Sequence, residues 1–188
     1  MCAALNRSMH QMATRIMAPM RNISGTFYRI AFAQYAGSVL DGVIHPEGRL
    51  HHDGQPALYA SPTPETAAVA IDIYLKPDDP DRVMIPLLLT DARLADLRDP
   101  VTCRALGIDP TWPSVPWAAE RAAGNPATSW RASDAVRAAG ADGIIYASRR
   151  VPERWHIVLF SWNKTQGAQL RRDGPAVPWG PKGPASAG

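Results

Sequence analysis

Apolar and polar residues alternate from Thr26 to Phe32 (TFYRIAF), a period of two that predicts a strand. A short apolar piece, Ala57 to Ala60, predicts a second one. Thr63-Pro64-Glu65 then carries the signals of a helix start: a capping hydroxyl, a proline suited to the first turn, and an acid at the positive helix end. That helix runs through Ala67 to about Leu75 and stops at the turn 76–81, which holds Pro77 and Pro80. Val83 to Leu89 reads as a strand, and Ala92 to Leu97 as a short segment compatible with helix. Residues 99–125, rich in proline and tryptophan, read as irregular connection with a helix near Trp117 to Ala123. An amphipathic helix follows from Trp130 to Ala139 and ends at Gly140. Gly143 to Ala147 and His156 to Trp162 are the last predicted strands.

At the ends the pattern fades. Residues up to about Ile23 read as a tail or short helix. After Gln166 proline and glycine dominate without an apolar period, which predicts disorder or a loosely packed arm. The expected organisation is therefore an N-terminal extension (1–24), one domain (25–165) and a Pro/Gly-rich C-terminal tail (166–188). Strands and helices mix without a βαβ rhythm, so the fold class is α+β. No glycine-rich phosphate loop of either common form occurs, which excludes dinucleotide binding in the Rossmann manner.

Composition narrows this picture. A chain of 188 residues, 46% of them hydrophobic, suits a single domain with one sizeable core. No run of about 18 apolar residues is present, so no membrane span is expected. Cys2 and Cys103 lie too far apart for a disulfide framework or a zinc site, and a reducing cytoplasm is the expected compartment. The net charge of +3 is spread out without a Lys/Arg block, so direct nucleic-acid binding is not expected. The first forty residues hold no acid, and arginines and methionines recur there; an N-terminal extension is the simpler reading than a transit peptide. His45, His51 and His52 lack carboxylate or cysteine partners at ligand spacing and read as a solvated loop, not a metal site. Trp112, Trp117 and Trp130 read as packing residues.

Four pieces in order carry a family resemblance. They are Phe27-Tyr28-Arg29-Ile30; Pro46-Glu47-Gly48-Arg49-Leu50 followed by Gly54 to Ser61; the helix Pro64 to Ala70; and Gly140 to Arg149 with the strand ending at Phe160. Together, over residues 25–163, they resemble the RES domain, a family of bacterial toxins paired with antitoxins. The resemblance implies a central mixed, twisted β-sheet with flanking helices, like that of NAD-dependent ADP-ribosyltransferases. It implies NAD+ as substrate, cleaved at the nicotinamide–ribose bond, and no metal. ADP-ribose then passes to a target protein, or to water or phosphate with depletion of NAD+. It also implies a cognate antitoxin with a DNA-binding domain that covers the active site.

The family's two arginines match Arg29 and Arg49, with Leu50 where an aromatic residue is usual. Its tyrosine matches Tyr59 and its serine Ser148. The chemistry suits these types: arginine forks bind a pyrophosphate, Tyr59 and Tyr28 offer rings for stacking on nicotinamide, and Ser148 can hydrogen-bond the carboxamide or a ribose hydroxyl. The family's glutamate falls at Ala70, where the sequence departs. Asp72 lies about 200° round the helix from Ala70, and Glu65 lies off that direction too. Glu47 is the carboxylate nearest the matched arginines in sequence, and Glu47, or Asp72 through a local shift of helix register, is the expected substitute near the ribosyl cation. Loss of the glutamate should hurt attack by water most, so transfer to a protein is the leading expectation and NAD+ glycohydrolysis or phosphorolysis the second. A third reading keeps only an antitoxin-binding module, against which stand the retained Arg29, Arg49, Tyr59 and Ser148.

Overall fold

The computed structural model describes residues 19–180. Seven strands form one sheet: β1 (Met20–Phe32), β2 (Leu58–Ala60), β3 (Arg82–Asp96), β4 (Gly143–Ala147), β5 (Trp155–Leu159), β6 (Gln169–Arg172) and β7 (Val177–Trp179). Four helices flank it: α1 (Pro64–Ile71), α2 (Pro100–Leu106), α3 (Trp117–Ala122) and α4 (Thr128–Ala138). The fold is α+β, with strand order β1-β3-β4-β5-β2 and with β6 and β7 also paired to β3. Only the β3–β4 pair is parallel, so the twisted sheet is mixed. No described helix is long and apolar enough to cross a membrane.

The outer strands of this order meet. Tyr28 of β1 and Ser61, just past β2, exchange both backbone hydrogen bonds, at 2.7 and 2.9 Å. The sheet thus curls, and its concave side gathers residues of β1, β2, β4 and β5. The pairing also explains Pro86 inside β3. Tyr28 sits opposite Pro86 but turns its polar groups to Ser61, so Pro86 faces the other neighbour, in the gap between β6 and β7. There its carbonyl accepts from Asp173 N, and its missing N–H leaves no ladder bond unmade.

β3 joins two segments that the alternation separated. Ile85, Leu87 and Leu89 face the core, then Ala92 and Leu94 do, so the period changes phase at Thr90-Asp91. A β-bulge makes the change: the register with β1 slips between Ile23 and Gly25, Asp91 takes φ 56°, and its N–H donates to Ser24 Oγ at 3.0 Å. Ala92 to Leu97 is therefore largely strand rather than helix. β1 begins at Met20, not after Ile23. The arm expected to be disordered or loose supplies β6 and β7, with Leu170 buried beneath the sheet.

Thr63 caps α1 by accepting from Thr66 N at 3.1 Å, as its sequence signals required, but a 3-10 turn at Asp72–Tyr74 replaces the last expected turn. α2 breaks the stretch expected to be irregular: Asp99 caps it, Pro100 opens it, and Gly107 closes it at φ 65°. α4 packs on the face of the sheet that carries Ile144, Tyr146 and Val158. β5 ends at Leu159, short of the expected Trp162.

Candidate active site

A cavity of about 720 Å³ opens on the concave side of the sheet, a volume typical of small-ligand sites. Tyr28, Arg29, Glu47, Arg49, Tyr59 and Ser148, the residues singled out in the sequence, all line it. They come from β1, the loop before β2, β2 itself and the turn after β4.

Arg29 points inward from β1. Its Nη2 donates to Gly42 O at 3.1 Å, and its buried Nη1 has no protein acceptor. Burial lowers its pKa to about 10, with nearby Tyr59 acting in the opposite sense. Arg49 donates through Nε to Pro113 O at 2.6 Å and lies 4.9 Å over the Tyr146 ring, while its Nη2 is buried without a partner. Burial lowers its pKa as well. A buried, incompletely bonded cation is costly in a folded protein. Two of them in one cavity make an anion the natural guest.

Tyr59 is fully engaged. Its hydroxyl accepts from Leu50 N at 3.0 Å and lies 2.9 Å from His51 Nδ1. His51 Nε2 lies 3.1 Å from the carbonyl of His45 and must donate to it, so Nδ1 is the acceptor and Tyr59 O–H the donor. Burial also drives the phenol's pKa upward. Tyr59 therefore offers substrate a ring face, not a proton.

The same contacts correct the reading of the histidines. His51 is buried at 2% exposure and is no part of a solvated loop. His52 is largely covered: it stacks on Trp130 and bonds Asp53 at 2.7 Å and Asp134 at 3.0 Å. Against the effect of burial, those two carboxylates raise its pKa. Trp130 does more than pack, since its Nε1 donates to Gly48 O at 2.8 Å. Ser129 Oγ donates to Arg49 O, so the start of α4 pins the Gly48–His51 turn that presents Arg49. Gly48 is required there: a Cβ would lie 2.2 Å from His51 Cε1. Gly48→Ala is expected to destabilise the protein by about 1–3 kcal/mol through this overpacking, read as a lower urea midpoint at unchanged m.

Ser148 Oγ accepts from Arg150 N and Val151 N, both at 3.3 Å, which holds the turn after β4 and leaves its hydroxyl hydrogen free to donate. Ala70 lines the cavity, whereas Asp72 and Glu65 do not. Asp72 is instead tied to Arg150 at 3.0 Å. Glu47 is the sole acid among the lining residues, gripped at both oxygens by Arg121 at 3.0 Å.

Ser61, Tyr146 and His156 are among the further lining residues that the sequence reading did not single out. The signal for His156 was a histidine in the apolar run Trp155 to Phe160. Burial, with a smaller contribution from Arg49, lowers the pKa of His156 to about 4, so it is neutral at physiological pH. Among the described residues no group of three or more His, Cys, Asp or Glu is placed to hold a metal ion.

Known proteins share this architecture. A chain of the crystal structure of the M. tuberculosis MbcT-MbcA toxin-antitoxin complex superposes with a TM-score of 0.52 at 15% identity, covering 85% of this chain and 86% of that one. No curated protein matches the sequence. The family model of the RES domain matches residues 26–180, from the strand that carries Arg29 through the C-terminal strands β6 and β7. A match over so much of the chain, with Arg29, Arg49, Tyr59 and Ser148 gathered in one cavity, shows that the chain belongs to the RES domain family.

Proposed function

We propose that this protein is the toxin of a bacterial toxin–antitoxin pair, acting in the cytoplasm, and that it cleaves the nicotinamide–ribose bond of NAD+ and passes ADP-ribose to a target protein. The observation that carries this reading is the pair of largely buried arginines, Arg29 and Arg49, that line one cavity with no carboxylate paired to either among the described residues. A pyrophosphate supplies the anionic oxygens they lack. Tyr59, its hydroxyl engaged within the protein, gives a ring against which nicotinamide stacks, and Tyr28 lines the same space. Ser148 keeps one donor for the carboxamide or a ribose hydroxyl.

As the glycosidic bond breaks, its electron pair goes to the ring nitrogen and a cationic ribose remains. Glu47 is the lining carboxylate that faces this charge in the proposal, though Arg121 shares it. Glu47→Gln is expected to lower NAD+ turnover by about tenfold or more, measured as nicotinamide release. Unchanged turnover would show that Glu47 only anchors the loop to Arg121.

Transfer to a protein rests on Ala70. Without a carboxylate there, water has no base to activate it, whereas a docked side chain brings its own nucleophile. Hydrolysis or phosphorolysis is the second reading, favoured by the presence of Glu47 on the cavity wall. NAD+ labelled on its adenylate side, incubated with the protein in bacterial lysate free of antitoxin, separates the two. Transfer predicts label on a discrete protein band. Label found only in free ADP-ribose or its phosphate rejects transfer. No consumption of NAD+ rejects both. A cognate antitoxin with a DNA-binding domain is the proposed partner, consistent with the family and with the toxin–antitoxin complex that shares the fold.

A further inference from the structure

Ser61 and His156 are the two buried polar residues of the cavity that hold each other. They are 2% and 5% exposed, and Ser61 Oγ lies 2.9 Å from His156 Nδ1. Among the described residues the Ser61 hydroxyl has no other partner, and a buried hydroxyl hydrogen left unplaced costs more than an unused lone pair. Ser61 therefore donates to Nδ1, and the imidazole proton sits on Nε2. Among the described residues Nε2 has no hydrogen-bond partner, and His156 lines the cavity, so Nε2–H is the donor left for a ligand there.

Its neighbours define what it meets. His156 pairs directly with Tyr146 across β4 and β5, with ring centroids 5.5 Å apart. Ser148 bonds Arg154 across the same ladder, so Ser148 is the diagonal neighbour of His156, roughly 7–8 Å away on the same face. Aromatic walls from Tyr59 and Tyr146 and a neutral N–H donor make a place for a flat ring bearing a carbonyl. The nicotinamide ring of NAD+ is cationic. A neutral donor admits it to a site already flanked by two arginines, as a charged one does not.

We infer, resting on the NAD+-cleaving reading, that His156 is a catalytic residue whose Nε2–H donates to the carboxamide oxygen of nicotinamide, and that Ser61 is the positioning residue that fixes its tautomer. The bond that breaks joins ribose C1′ to the ring nitrogen. Its electron pair enters the ring, the ring's positive charge is neutralised, and the conjugated carboxamide oxygen gains electron density. The hydrogen bond from Nε2 therefore strengthens toward the transition state. The cationic ribose is captured by the acceptor nucleophile, whose proton is released to solvent. His156 keeps its proton throughout.

The test compares kcat/KM for three dinucleotides. These are NAD+, the 3-acetylpyridine analogue, which keeps the carbonyl and loses the amide nitrogen, and the thionicotinamide analogue, whose sulfur is a weak acceptor. His156→Phe is expected to reduce the first two by about tenfold or more and the third by less than about threefold. His156→Gln retains an N–H donor and is expected to recover NAD+ turnover to within about fivefold of wild type. Ser61→Ala, a smaller perturbation, must show the same ordering of substrates with losses of about threefold. Equal losses on all three substrates, or none, would overturn the inference while NAD+ cleavage by the wild type stands. A wild-type protein that consumes none of the three overturns the reading on which the inference rests.

Discussion

Replacing Arg29 with methionine is expected to cut kcat/KM for NAD+ by roughly 100- to 1000-fold while raising Tm by a few degrees. The two halves follow from one observation. Arg29 holds a buried charge on β1 with a single protein acceptor, Gly42 O, and with Nη1 unbonded. That arrangement is unfavourable in the empty protein, which is why burial depresses its pKa to about 10. Methionine has a similar reach and no charge to desolvate. For a chain of this size each kcal/mol gained moves Tm by about 2–4 °C. Activity is lost because no other cationic side chain of β1 lines the cavity, and the donor removed was positioned before substrate arrived. Steady-state nicotinamide release and a thermal melt check both halves. A lower Tm together with lost activity would instead make Arg29 a structural residue, its bond to Gly42 O outweighing its desolvation. Gain in stability with loss of function is the usual mark of a site held in an unfavourable state for its ligand.

The elements that were easy to find have local signals. Thr26 to Phe32 is rich in aromatic residues, Thr63-Pro64-Glu65 contains its own cap, and Gly140 supplies a positive φ of 72° at the end of α4. The readings that failed depended on distant partners. The bulge at Asp91 is stabilised by Ser24, and without that partner the change of phase in β3 resembles a strand end. β6 has one buried residue, Leu170, too few to show a period; pairing to β3 makes it a strand. α2 was within reach, because Asp99-Pro100 and Gly107 are standard end signals, but the prolines around it obscured them. In the site the same division holds. That Arg29, Arg49, Tyr59 and Ser148 line one cavity agrees with the motifs that singled them out. The contacts of His51 and His156 were not legible, since one meets the hydroxyl of Tyr59 and the other Ser61, 95 residues away.

Ala70 stands where the family resemblance expects a glutamate, and there an added carboxylate should have the largest opposite effect. Ala70 is exposed on the cavity wall, at the penultimate residue of α1, so a longer side chain meets no packed core. Glutamate is only slightly poorer than alanine in a helix, and the expected loss of stability is a few tenths of a kcal/mol. The lining residues include Arg29, Arg49, Arg149 and Arg150 against one acid, Glu47, which is already paired with Arg121. Asp72 occupies Arg150 as well. A carboxylate introduced at position 70 enters this excess of positive charge without competing for an acid's existing place. It faces the cavity, where it stabilises a ribosyl cation and accepts a proton from water. Ala70→Glu is therefore expected to raise NAD+ hydrolysis by about 10- to 100-fold, and to shift adenylate label from protein to free ADP-ribose. The same labelled-NAD+ incubation measures both. If hydrolysis does not rise while the variant remains folded, the cavity wall at α1 does not face the ribose, and the carboxylate that matters is Glu47. If hydrolysis rises and protein labelling falls in proportion, water and the protein acceptor compete for one intermediate. The choice between modifying a target and consuming NAD+ then lies in a single side chain on α1.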